Sequence, residues 1–168
     1  MDRLFLETKL LADDEGTISG KAWAFGSPDR IGDVIEPGAF KGAKLPLPML
    51  FGHDLNDPIG TWDTADEKSD GLHITGKMLV TELPRAKQVQ ALVKSGAVRG
   101  LSIGFIARKA IARNGGGRTI KSLELFEVSL VTVPMHPGAR VSSAKSAVDA
   151  LRLISALNRA TQALNATR

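Results

Sequence analysis

Ser102 is the candidate nucleophile of this sequence, because it lies between two glycines in the segment Gly100-Leu101-Ser102-Ile103-Gly104. Such glycines leave room around the hydroxyl and free backbone N–H groups to face a developing oxyanion. The alternative is a surface serine on a strand in which the glycines mark a bulge. The spacing also matches the nucleophile elbow of α/β-hydrolases. That elbow needs a helix after the serine, whereas residues 103–112 favour a strand, so an α/β-hydrolase is excluded.

Three histidines are available as a general base: His53, His73 and His136. His53 follows an apolar run and a glycine, a position that suits an oriented and partly desolvated imidazole. His73 alternates with apolar neighbours and is expected to be an exposed strand residue, and His136 lies in a loop after Pro134. A lone histidine is usually structural. The three are not spaced as a metal site, and no cysteine supports one.

Glu127 is the candidate acid that would orient the base. Strand alternation places it on one face with apolar neighbours, and a carboxylate on a buried face needs a partner. A histidine would suit this role, but a salt bridge to a basic side chain such as Arg108 is equally compatible with the spacing.

The composition is that of a globular domain with a sizeable core. The chain has 168 residues, of which 43% are apolar and 24% charged, and it contains no cysteine. These values suit one domain, or one domain with a tail, and exclude a disulfide scaffold, a thiolate zinc site and a cysteine nucleophile. No run approaches the roughly 20 apolar residues that span a bilayer. The charged beginning of the chain lacks an apolar signal core, so secretion is not expected.

The charge is unevenly distributed along the chain. Residues 1–107 carry 12 basic and 15 acidic side chains, which gives −3, whereas residues 108–168 carry 10 basic and 3 acidic, which gives +7. A basic half can bind nucleic acid. A solvated basic surface is favoured, because Phe126 is the only aromatic residue in this half and stacking on bases would need several interleaved with the charges.

Period-two and helical patterns predict a mostly antiparallel β domain with one internal and one terminal helix. The helix at 84–95 is bounded by Pro84 and Gly96, which suit its two ends. A long loop is expected at 26–38, and residues 146–166 form an amphipathic pattern. The predicted strands cover residues 4–11, 17–25, 47–51, 60–64, 72–79, 100–112 and 121–133.

Four ordered segments carry a resemblance to the prohead proteases of tailed phages, which mature capsids. They are SGKAWAFG at 19–26 with GDVIEPGAF at 32–40, MLFGHD at 49–54, GAVRGLSIGF at 96–105, and LFEVSLVTVP at 125–134. The family usually places a small residue and an asparagine after this proline, whereas this chain has Met135 and His136. That departure makes His136 an alternative third member of the active site.

The resemblance implies a serine endopeptidase with the fold of the herpesvirus assemblins, an antiparallel β-barrel flanked by helices. It implies Ser102 as nucleophile, His53 as base and Glu127 as third member, with Arg140 and Gly104 as candidate oxyanion or supporting residues. No cofactor is expected.

The implied substrates are the scaffolding segment of the major capsid protein and the protease itself, cleaved within the prohead in the host cytoplasm. Residues 1–143 would form the protease domain, and residues 144–168 a helix or tail at a homodimer interface. The alternatives are a catalytically silent assembly scaffold and a basic nucleic-acid-binding module.

Overall fold

A computed structural model describes residues 14–142 of the chain. The alternation of apolar and polar residues produces strands over most of this length, and a single segment with helical spacing interrupts them. In chain order the elements are β1 (Thr17–Ala24), β2 (Val34–Ile35), β3 (Leu47–Phe51), β4 (Pro58–Lys68), β5 (Gly71–Met78), α1 (Pro84–Ser95), β6 (Gly100–Ala112), β7 (Arg118–Val131) and β8 (Arg140–Ser142).

Seven of the strands close into a barrel. The sheet runs in the order β2-β7-β3-β4-β5-β1-β8-β6, and a further pairing of β6 with β7 joins its ends and leaves β2 as an attachment to β7. Neighbouring strands are antiparallel, except that β7 pairs in parallel with β2 and with β3. The predicted mainly β barrel is therefore confirmed. Glu127 lies on β7, which pairs with β3 on one side and with β6 on the other.

The barrel encloses an apolar core that includes two fully buried tryptophans, Trp23 and Trp62. The indole N–H of Trp62 donates to the carbonyl of Val128 at 2.9 Å, which satisfies a buried donor and ties β4 to β7. Along β7, Val128 and Leu130 face this core, so the residues between them face the other side of the sheet.

The segments that precede and follow β2 are each held by a carboxylate. Asp33 is buried, and it accepts hydrogen bonds from the backbone and the guanidinium of Arg118 at the start of β7. Glu67 of β4 accepts the backbone N–H groups of Gly38 and Phe40. These contacts satisfy loop donors that would otherwise be unpaired, and they fix the loop against the barrel.

The predicted elements agree closely with those observed. The bounds of α1, β3 and β6 match the predictions, and Gly96 ends α1 in the left-handed conformation. The short strands β2 and β8 were not predicted, because two or three residues carry too little alternation to reveal a strand. The predicted strand at 4–11 and helix at 146–166 lie outside the described residues. Within residues 14–142, no helix is long and apolar enough to cross a membrane.

Candidate active site

His53 lies in a tight turn that follows β3. Gly52 and His53 both have positive φ values, 64° and 63°, and the N–H of Asp54 donates to the carbonyl of Phe51 at 3.2 Å. Two successive positive φ values are typical of a type I′ turn, which glycine adopts freely and histidine only at some cost. The side chain of His53, which this turn carries, is 43% exposed.

Glu127 of β7 is the hydrogen-bond partner of the His53 ring. Its Oε1 lies 2.7 Å from Nδ1 of His53, while its side chain is only 4% exposed. Because a carboxylate only accepts hydrogen bonds, Nδ1 carries the hydrogen and Nε2 is left with its lone pair. The alternative partner that the spacing left open, Arg108, pairs with Glu124 instead.

The hydrogen bond between these two groups also sets the protonation of the base. The carboxylate of Glu127 raises the pKa of His53 above its ordinary value of 6.5, and partial burial of the ring opposes this effect. The neutral imidazole, which is the form able to accept a proton, therefore predominates only above this raised pKa.

The second oxygen of Glu127 is bound by Ser129, two residues further along β7. The Ser129 hydroxyl donates to Oε2 of Glu127 at 2.7 Å and accepts the backbone N–H of His53 at 3.0 Å. Ser129 is fully buried. Both of its hydrogen bonds therefore form in a dry environment, where they are stronger than in water.

Strand register places Ser102 beside this group. In the antiparallel pairing of β6 with β7, Ser102 is the direct partner of Ser129, and Gly104 is the partner of Glu127. Directly paired residues project to the same face, with Cβ atoms about 5 Å apart. Ser102, which is 5% exposed, thus lies on the face that carries Glu127 and Ser129.

Gly100 and Gly104 flank Ser102, and the sequence suggested that they leave open space around this candidate nucleophile. The structure shows that each is needed for a different reason. A Cβ atom at Gly104 would overlap the carboxylate of Glu127, and one at Gly100 would lie 2.7 Å from Cδ of Pro134. Gly104 thus makes room for the acid that binds His53, while Gly100 allows the chain after β7 to pass close to β6. Sequence spacing pointed to these glycines but not to their function.

Arg140, a predicted oxyanion or supporting residue, lies in β8 opposite Gly100. It therefore projects to the same face of the sheet as Ser102, two residues along β6. Its guanidinium donates to the carbonyl of Ala139 at 3.1 Å. Burial lowers the pKa of Arg140, and the neighbouring charges of Arg99 and Arg30 lower it further. Arg30, Arg99 and Arg140 are therefore close enough to one another for their charges to interact.

His136, the alternative third member, has other partners. The ring is 2% exposed and packs edge-on against Trp23 with 4.5 Å between centroids. Its Nδ1 accepts the N–H of Gly138 at 3.0 Å, and its Nε2 lies 3.1 Å from the carbonyl of Ser27. Both nitrogens are thus engaged in holding loops. His73 is half-buried and binds Asp70.

The turn of His53 has one further support that the sequence did not reveal. Arg85, at the start of α1, lies over the ring of Phe51 at 4.9 Å and pairs with Asp57 at 2.9 Å. Phe51 and Asp57 flank the turn on its two sides, and the N–H of Phe51 donates to the carbonyl of Asp57. Arg85 therefore ties the turn to the helix.

The fold belongs to a known class of proteases. The KSHV protease, solved in complex with a hexapeptide phosphonate inhibitor, superposes with a TM-score of 0.53 over 74% of this chain and 63% of its own. The two chains share 16% sequence identity, so the similarity defines the fold alone. That fold is the β-barrel of the herpesvirus assemblins, as the sequence predicted.

The sequence defines the family more narrowly. Residues 5–153 match the caudovirus prohead serine protease family, and the chain belongs to that family. The prohead protease of Enterobacteria phage HK97 is 33% identical over 88% of this chain and 68% of its own length. The prohead protease of Escherichia phage T5 is 34% identical over 71% of this chain and 59% of its own.

A third relative is a longer protein. The capsid polyprotein of Pseudomonas phage PAJU2 is 40% identical over 84% of this chain, which spans only 22% of that relative. The predicted family, barrel fold and enzyme class, a serine peptidase, are confirmed by these comparisons.

Proposed function

We propose that this chain is a serine endopeptidase that matures the phage prohead, with Ser102 as nucleophile, His53 as general base and Glu127 as the residue that orients the base. One observation carries the assignment. The His53 ring is hydrogen bonded through Nδ1 to a buried carboxylate, and strand register places Ser102 on the face of the sheet that bears this carboxylate. This is the pattern of a serine–histidine–acid triad.

In the proposed reaction, Nε2 of His53 takes the proton of the Ser102 hydroxyl as its oxygen attacks the scissile carbonyl carbon. Glu127 keeps the ring in the required tautomer and stabilises the imidazolium that forms. The imidazolium then returns its proton to the leaving amine, and water hydrolyses the acyl-enzyme. Negative charge develops on the carbonyl oxygen, and backbone N–H groups near Ser102 together with Arg140 are the donors proposed to stabilise it.

The proposed substrates are the scaffolding segment of the major capsid protein and the protease itself. Support comes from the prohead protease relatives and from the capsid polyprotein, which carries a similar region within one longer chain. Cleavage is proposed to take place inside the prohead, in the cytoplasm of the host. A homodimer is proposed as the active species, and nucleic acid is given no part in the reaction.

Co-expression with the cognate major capsid protein tests the proposal. The unaltered chain should shorten the capsid protein and itself, as read by intact mass, whereas Ser102→Ala and His53→Ala should leave both at full length. Ser122→Ala, on the exposed face of β7, is the matched control and should process normally. Normal processing by Ser102→Ala would end the nucleophile assignment. A purified chain that processes as a monomer in light scattering would end the dimer assignment.

A further inference from the structure

We infer that Ser129 is a positioning residue of the active site, whose single hydroxyl fixes both the backbone of His53 and the carboxylate of Glu127. The inference rests on the proposed function, because it gives Ser129 its role through the base and the acid assigned there. The two hydrogen bonds of Ser129 run to the backbone of His53 and to the carboxylate of Glu127, so any effect on the reaction would pass through these two residues.

The first step concerns the carboxylate. A glutamate side chain can rotate about its last torsion, and it then presents either oxygen, or neither, to a neighbour. In this site Oε1 is bound by His53 and Oε2 by Ser129, each at 2.7 Å. With both oxygens held, the carboxylate plane cannot turn without losing a hydrogen bond in a buried place. Ser129 therefore directs Oε1 at the imidazole.

The second step concerns the backbone of the base. His53 has a φ of 63°, a conformation that is unfavourable for a residue with a side chain and persists only where its surroundings hold it. Its N–H donates to Oγ of Ser129 at 3.0 Å. This bond ties the turn to β7, the strand that carries Glu127. The turn that bears the base is thus held against the strand that bears its acid.

The third step concerns the choice of side chain. The position requires a group that donates to a carboxylate and accepts from an amide at the same time, which a hydroxyl does. Ser129 is fully buried between β3 and β6, its neighbours in the sheet. Alanine would supply neither hydrogen bond, and a thiol would supply both weakly.

A purely structural hydroxyl predicts a different result from a positioning hydroxyl. A structural role would change the free energy of unfolding alone. A positioning role would also change the pKa of His53, since the hydrogen bond that His53 donates to Glu127 is the main cause of its elevation. It would lower kcat more than it changes KM, because a misplaced base affects the transition state and leaves substrate binding nearly as it was.

The experiment compares Ser129→Ala with Ser122→Ala and the unaltered chain on a peptide that carries the cleavage junction mapped by co-expression. For Ser129→Ala we expect kcat to fall by about 10- to 100-fold, as for a displacement of the base by up to 1 Å, with KM changed less than about twofold. The acidic limb of the kcat/KM profile should move to lower pH. NMR titration of His53 in a Ser102→Ala background, which prevents self-cleavage, should show the same downward change in pKa. Ser122→Ala should change none of these.

Ser129→Cys provides a second variant of similar size, and it should fall between the unaltered chain and Ser129→Ala. Wild-type kcat and an unchanged His53 pKa in folded Ser129→Ala would overturn the inference. So would loss of the fold in both Ser129 variants, by circular dichroism, since that would make the residue structural. If His53→Ala or Ser102→Ala still cleaves, the proposed function fails instead, whatever the Ser129 variants do.

Discussion

Gly104→Ala is the substitution by which the geometry of this site can be tested most directly. A Cβ atom at Gly104 would lie 2.8 Å from both Cγ and Cδ of Glu127 and closer still to Oε1, whereas ordinary contacts begin at 3.4 Å. The two carbon atoms must therefore retreat by about 0.6 Å, the difference between 2.8 and 3.4 Å, and Oε1, which lies closer, by more than that. The added group itself is small and apolar, so it brings no charge to the site.

The retreat acts on the hydrogen bond to the base. That bond measures 2.7 Å between Oε1 and Nδ1 of His53, and a lengthening of this size brings it to the limit of hydrogen bonding. The base then loses its orientation, and kcat should fall by about 100-fold. The pKa of His53 should fall toward 6.5, since the bond to Glu127 is the first cause of its elevation.

Gly42→Ala is the matched control, because a Cβ atom there would meet open space and its φ is not positive. Peptide cleavage gives kcat, and NMR titration gives the pKa of His53. Alanine in place of a strand glycine otherwise stabilises by about 0.5 to 1 kcal/mol, so reduced activity would not be explained by the backbone. In a double-mutant cycle, Gly104→Ala and Glu127→Gln should be far from additive, since both remove the same contact. A folded Gly104→Ala protein with wild-type kcat and an unchanged His53 pKa would refute this reasoning.

Three further substitutions distinguish residues with a proposed catalytic role from residues that only stabilise the fold. Glu127→Gln keeps the shape of the side chain but should lower kcat by roughly 10³- to 10⁴-fold and lower the His53 pKa measured by NMR; a retained rate would remove the acid from the mechanism. His136→Ala should cost about 2 to 4 kcal/mol of unfolding free energy in urea, because it empties a buried site, yet leave kcat of the folded protein within a few-fold. A loss of kcat as large as that of Glu127→Gln would instead place His136 in the catalytic set. Asp33→Asn should cost about 1 to 2 kcal/mol, since it weakens the pairing with the half-exposed Arg118. The Arg118 hydrogen bond lowers the pKa of Asp33 below 3.8. The pairing therefore stabilises the unaltered chain above pH 3.8, and this stabilisation disappears at lower pH as the carboxyl group protonates. Asp33→Asn should lack this contribution to stability at every pH.

The sequence alone nominated Ser102, His53 and Glu127 as candidate site residues, and the structure brings the last two into contact. The glycines around Ser102 have a spacing that was recognisable without a structure. Simple alternation was wrong about the face of Glu127, because Leu125 and Val128 both lie in the core and a register shift in β7 between Leu125 and Glu127 changes the phase of the strand. The need of a carboxylate in an apolar strand for a polar partner was recognised all the same. His53 stood out because it follows an apolar run and a glycine. These signatures depend on neighbours in the chain, which a single sequence supplies.

The remaining features depend on register, which local patterns do not reveal. Ser129 was visible as a residue on the face of Glu127, but its contact with the backbone of His53 requires the pairing of β3 with β7. The role of Gly104 likewise requires the pairing of β6 with β7. Alternation gives the face of each residue and leaves open which strand lies alongside. For the same reason, the spacing alone did not exclude Arg108 in place of a histidine as the partner of Glu127.

The ion pairs of this fold contribute at different pH values, and the difference bears on how the site works. The raised pKa of His53 means that its pairing with Glu127 stabilises the folded chain most below pH 6.5, and that this stabilisation is lost as pH rises through the raised value. Catalysis has the opposite requirement, because only the neutral ring accepts a proton. The proposed catalytic pair is therefore most stabilising at a pH where its base could not accept a proton. The buried Asp33, whose pKa is lowered by Arg118, contributes over the whole range above 3.8. The loop and β7 are thus held together at the pH where His53 is free to act, by a pair that takes no part in the reaction.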